Sequence, residues 1–137
     1  RCFLKSNTGD EVNEFDEVVA QNLLEYSTEG SRECKLWAED GFNHSVDLYH
    51  KDERIAIELE KSEKKCVWKD LAKFGRGGST YDAGRQKIEY GCLVVPEYYL
   101  SERRPVFSGT KRILEFLEPM LDVQEIVIMG FHDPSST

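Results

Sequence analysis

Two nearly continuous apolar runs, KIEYGCLVV at 87–95 and QEIVIMGF at 124–131, constrain this chain more than any other feature. A strand that is apolar on both faces must be covered on both, as parallel strands flanked by helices are. Upstream, residues 34–38 (CKLWA), 44–50 (HSVDLYH) and 54–60 (RIAIELE) alternate with period two between short polar turns. They predict a three-strand antiparallel meander. Helical spacing occurs three times. Residues 10–27 place Val12, Phe15, Val19, Leu23 and Tyr26 at steps of three and four, with Asp10 as N-cap and Thr28–Gly30 as the stop. KKCVWKDLAKF (64–74) puts Val67, Leu71 and Phe74 on one face, and SGTKRILEFLEPML (108–121) begins with Ser108 as cap. The order α-β-β-β-α-β-α-β defines an α/β class. The expected architecture is a three-layer α/β/α sandwich around a mixed sheet, its antiparallel hairpin feeding a crossover into parallel partners.

At 137 residues the chain reads as one domain spanning 1–137, either whole or the core of a longer protein. A hydrophobic content of 39% and a charged content of 32% exclude disordered and membrane classes, and no run reaches the roughly 18 apolar residues of a spanning helix. The opening RCFLKSNTGDEV has no signal-peptide pattern. Cys2, Cys34, Cys66 and Cys92 show no CxxC or CxxH spacing, which predicts free thiols in a reducing cytoplasm. Trp37 and Trp68 read as core aromatics. His44, His50 and His132 lack ligand spacing. The small-residue stretch GRGGSTYDAG (75–84) reads as a flexible, substrate-contacting loop, without the GK[ST] ending of a phosphate loop.

The strand 54–60 carries an oddity. Ile55, Ile57 and Leu59 occupy one face, while Glu58 and Glu60 share the other. If Lys51–Glu53 form the hairpin turn, Asp47 falls opposite Ile57 or Glu58, and three carboxylates converge at one end of a hairpin. In low dielectric they repel one another unless a cation neutralises them. An oxygen-only set suits a hard divalent ion, which activates water and stabilises charge on a phosphate. The alternative is a solvated strand face and a surface hairpin.

Asp47, a turn and then IAIELEKS resemble the PD-(D/E)xK nuclease superfamily, whose α-β-β-β-α-β core matches the order above over about residues 10–131. Asp47 matches the family's Asp, and Glu58, after ten intervening residues, its acidic position. Val46 stands at the proline, and Glu60 at the lysine. This E-x-E variant is similar to a subgroup of type II restriction endonucleases. The resemblance implies a Mg2+-dependent endonuclease acting on DNA, with Mn2+ able to substitute. Asp47 and Glu58 would be metal ligands, and Glu60 would orient the water. A lysine arriving from the next helix is the other option, Lys69 ranking above Lys65. FDE (15–17) is similar to a helix motif of Holliday-junction resolvases, which makes Asp16 a further ligand candidate.

Net charge is −8, against a nucleic-acid partner at first sight. Its distribution is uneven: residues 1–60 hold 15 acids and 6 bases, whereas 61–112 hold 12 bases and 6 acids. Lys65, Lys73, Arg76, Arg85, Arg103 and Arg104 are candidate phosphate contacts on that basic segment. Double-strand cleavage would call for a homodimer or a larger parent chain. Two other readings stay open: a catalytically inactive nuclease-like domain that binds nucleic acid or protein, and an α/β interaction module without nucleic acid.

Overall fold

The computed structural model describes residues 23–39, 42–60, 66–96, 98–99 and 104–131. Its centre is a five-stranded mixed sheet. In chain order the strands are β1 (Ser27–Thr28), β2 (Leu48–His50), β3 (Ile55–Leu59), β4 (Tyr90–Pro96) and β5 (Glu125–Phe131), and their spatial order is the same. The first three are antiparallel, and β3, β4 and β5 run parallel. Helix α1 (Cys66–Gly78) crosses from β3 to β4, and α2 (Val106–Leu117), extended by a 3-10 turn at Glu118–Met120, crosses from β4 to β5. This is the α/β, restriction endonuclease-like fold expected from the element order.

Both described helices cover one sheet face. Val67, Leu71 and Phe74 of α1 are fully buried there with Ala56, Leu93 and Val95, and Ile113 and Leu114 of α2 close over Ile126 and Ile128. The other face, Leu48, Ile57 and Leu59 with Cys92 and Val94, is packed by Leu23 and Tyr26. A helix over 10–22, the expected third layer, lies outside the described residues. It does not extend to 27: residues 23–26 form a turn and Ser27–Thr28 join the sheet as β1.

Four further expectations change. The 44–50 strand is two. Phe42–Ser45 pairs with Lys35–Glu39 in a separate hairpin, and only Leu48–His50 enters the main sheet. The break falls where buried Val46 gives its N–H to the Cys34 carbonyl and Asp47 offers its own carbonyl to the Glu29 N–H. Ser108 lies inside α2 rather than capping it. The supposed flexible loop at 75–84 is neither long nor open: its first four residues finish α1, and the rest is a tight hairpin, Tyr81–Asp82 against Arg85–Gln86. Glycine is needed at the helix end because the chain crosses closely there. A Cβ on Gly78 would stand 1.9 Å from the Asp122 carbonyl oxygen, and one on Gly77 would stand 2.3 Å from Ile88 Cδ1. Trp68 is also not a core residue. It is 44% exposed and meets Phe116 edge-on.

Gly78→Ala is therefore expected to destabilise by about 1–3 kcal/mol, although alanine is the better helix former by about 1 kcal/mol. Urea unfolding would measure this, and a variant as stable as the parent would contradict the close-packing account.

Candidate active site

The β2–β3 hairpin turns through 51–54, and its register pairs Leu48 with Ile57, Tyr49 with Ala56 and His50 with Ile55. One further step sets Asp47 beside Glu58. Because the chain leaves the ladder at Asp47, the side chain completes the pairing: its carboxylate accepts the Leu59 N–H at 2.7 Å. Glu58, in phase with Ala56, faces α1 and is 4% exposed. Parallel pairing continues one residue past the strand, the Glu60 N–H reaching the Val94 carbonyl at 2.9 Å, and the Glu60 side chain is buried as well.

Helix α1 brings two more charged groups to this end of the sheet. The Lys73 ammonium donates to Glu58 Oε1 at 3.3 Å and to the Ser45 carbonyl at 2.8 Å. Asp70, one turn earlier, is 3% exposed and has the carboxyls of Glu60 and Glu58 as its neighbours. Its Oδ2 is buried without a hydrogen-bond partner. Carboxylates stripped of water resist ionisation. Burial, with Asp47 and Asp70 as like-charged neighbours, pushes Glu58 up to about 10 against the opposing pull of Lys73. Burial and the Glu60 carboxyl push Asp70 up to about 8.

The sequence-predicted residues divide accordingly. Asp47, Glu58 and Glu60 come to one end of the hairpin. Lys69 is solvent-exposed, and Lys73 is the lysine that turns inward. Arg76 is exposed in the last turn of α1. Arg85 is at the other end of the sheet, forked onto Glu89 at 2.7 and 3.0 Å with a further bond to the Asp52 carbonyl. The four residues from Arg54 to Glu58 put roughly 13 Å of strand between those ends. Asp16, Lys65 and Arg103 lie outside the described residues, and of Arg104 only the backbone is described. Asp70 and the inward role of Lys73 are additions. Asp70 had a signal: it lies three residues after Val67 and four before Phe74, inside the apolar arc of its helix.

Whether this centre suits a divalent cation can be judged from its donors. They are all oxygens, and one of Asp70's is buried with no donor to satisfy it. Among the described residues no three His, Cys, Asp or Glu side chains converge to hold one ion together. A cation here would rest on pairs of carboxylates and keep waters, a coordination that suits Mg2+.

Fold and site together define an α/β domain of restriction-endonuclease type. A family model described as "Putative halobacteria restriction endonuclease" matches residues 3–131, and the chain belongs to that family. No curated protein and no solved structure matches it. Among the described residues no helix is long and apolar enough to cross a membrane, and Cys34 and Cys92 are free thiols.

The raised carboxyls set a pH dependence. Unfolded, both titrate near pH 4; folded, they hold their protons to about 8 and 10. The stability this confers is complete below pH ~4 and is lost as pH rises through the folded values. The metal-free protein should lose stability between pH 6 and 8 by about 2 kcal/mol per pH unit, since both groups keep protons there that the unfolded chain has lost, and Glu58→Gln or Asp70→Asn should flatten the fall. Thermal unfolding across that range would show it; stability rising with pH over the same interval would contradict it.

Proposed function

We propose that this chain is a metal-dependent endonuclease that hydrolyses DNA phosphodiester bonds, a nuclease of PD-(D/E)xK type in which the lysine comes from the helix after the motif. The observation that carries the reading is the Lys73–Glu58 contact of 3.3 Å beside Asp47. In the resemblance the lysine stands two residues after the acidic position, where this chain has Glu60. Lys73 supplies a cation to the same carboxylate from α1, so the set of two acids and a lysine is complete despite the substitution.

Asp47 and Glu58 would hold the Mg2+ or Mn2+ ion. When bound, such an ion lowers the pKa of a water and withdraws charge from the attacked phosphate. The protein's own groups then have distinct tasks. The Leu59 N–H fixes the Asp47 carboxylate, leaving its second oxygen as a ligand. Lys73 steadies Glu58 and places positive charge where the pentavalent phosphate develops negative charge, a preorganised contribution strongest away from water. Glu60 sits next to the acidic position and is the candidate for orienting the water. Approach of a polyanion to a chain of net charge −8 relies on local basic groups. Arg76, from the predicted set, is exposed in the last turn of α1 and is our choice for a phosphate contact. Arg85 is withdrawn from that set by its pairing with Glu89.

Incubation of the protein with supercoiled plasmid and Mg2+ or Mn2+ should yield nicked or linear product. Asp47→Ala and Glu58→Ala should reduce it to background, and Lys73→Met should slow it by about 100-fold or more. Lys69→Met should cost far less. If no divalent ion supported cleavage of any DNA form, the catalytic reading would be wrong; DNA binding without cleavage would mark an inactive nuclease-like domain instead.

A further inference from the structure

We infer that Arg54 and Lys87, at the end of the sheet away from the carboxylates, form a binding site for a phosphate-type anion. An underused guanidinium carries the inference. Arg54 is 6% exposed, and its Nε is buried with no hydrogen-bond partner. Its two terminal nitrogens reach Asp82 only at 3.4 Å, one the carboxylate and the other the backbone carbonyl. Guanidinium–carboxylate bonds normally measure about 2.7–2.9 Å and come in pairs. A buried donor so poorly met marks a missing partner. Arg54 also holds φ at 59°, so this turn carries a strained arginine where glycine would sit freely.

Lys87 supplies the second charge. The Arg54 carbonyl accepts the N–H groups of Glu89 and Tyr90 at 2.9 and 3.1 Å, which brings Lys87, two residues earlier, to the same corner. Its ammonium donates to the Lys35 carbonyl and lies 5.8 Å from the centre of the Tyr49 ring, while the Tyr49 hydroxyl donates to the Lys87 carbonyl. Burial above all, with the like charge of Arg54, holds that ammonium below its usual range against the pull of Asp82. Other acids at this corner are engaged: Glu89 is forked onto Arg85, and Glu33 accepts the Ser27 hydroxyl at 2.6 Å. The carboxylate left against Arg54 is that of Asp82, 57% exposed on a hairpin whose residues 81–85 all face solvent. It stands in for the anion. A phosphate offers two oxygens to the planar guanidinium and a third to the ammonium, a fit that one carboxylate cannot make.

Two sources share that chemistry: a free phosphate-bearing small molecule, or the backbone of a bound strand. Arg54 and Glu58 alternate onto the same face roughly 13 Å apart, so a strand phosphate here would lie about four nucleotides from one at the carboxylates. Only this second source rests on the nuclease reading.

Thermal unfolding of the metal-free protein, titrated with sodium phosphate against sodium chloride of equal ionic strength, tests the site. Phosphate should raise the midpoint saturably. Asp82→Ala should lower the midpoint, regain it with phosphate, and bind phosphate about 10-fold more tightly, the worth of one charged hydrogen bond. Lys87→Met should weaken phosphate by a similar factor, with circular dichroism confirming its fold. Phosphate that restored Asp82→Ala without protecting the wild type would uphold the site, with Asp82 as its resident competitor. If phosphate neither protected the wild type beyond chloride nor restored Asp82→Ala, Arg54–Asp82 would be a structural pair and the site would be excluded. Protection that Asp82→Ala and Lys87→Met left unchanged would place phosphate elsewhere and overturn it as well. Fluorescence anisotropy with a labelled oligonucleotide then assigns the source. A strand phosphate predicts that Lys87→Met lowers the salt slope by about 1 and that inorganic phosphate competes. An unchanged slope, or no oligonucleotide binding, assigns a free small molecule. None of these readouts depends on cleavage, so failure of the nuclease reading would leave the site standing.

Discussion

Lys73 reaches from the middle of α1 to a glutamate on the central strand and to a backbone carbonyl of the preceding hairpin, at 3.3 and 2.8 Å. These two bonds join three pieces of chain that backbone pairing alone does not connect: the helix, strand β3 and the hairpin ending at Ser45. Breaking them would leave Glu58 buried beneath the helix without the donor that Lys73 supplies, and a buried polar group that loses its partner typically costs about 1–3 kcal/mol. The ammonium is thus a structural anchor and a functional group at once. The sheet break at Val46–Asp47 serves the same end, since a continuous strand would have spent the Leu59 N–H on a ladder bond instead of on the Asp47 carboxylate.

A cluster of buried acids is a poor way to stabilise a domain. Glu58, Glu60 and Asp70 are all nearly inaccessible, and Glu58 and Asp70 are driven well above the usual carboxylate range by that burial. Hydrophobic residues of similar size would pack there without desolvation cost. The retention of carboxylates at such a site is understandable if the protein is meant to hold something positive, which is the common ground between the family membership and the chemistry proposed.

Much of the fold was legible because hydrophobic period reports directly on burial. Val67, Leu71 and Phe74 fell on one helical face and are fully buried, and the two apolar runs became the parallel strands β4 and β5. The hairpin register was legible too, since a turn at Lys51–Glu53 left only two choices for the partner of Asp47. What escaped had specific physical causes. The chain switches sheets at Val46 without any interruption of its alternation, so 44–50 looked like one strand. GRGG suggested a loop, but its glycines serve close crossing of Ile88 and Asp122, which is a tertiary fact. Lys65, Lys69 and Lys73 looked equivalent at steps of four. Four residues at 3.6 per turn advance the side chain by about 40°, and that drift carries Lys73 to the edge of the apolar arc while Lys69 stays in solvent.

The central claim is that Asp47 and Glu58 share a divalent ion next to Lys73. Anomalous diffraction from crystals grown with Mn2+ addresses it most directly. The account predicts a peak between the two carboxylates, each oxygen about 2.1 Å from the ion, as hard octahedral cations require. A map with no ion there, and the Lys73 ammonium still alone against Glu58, would contradict it.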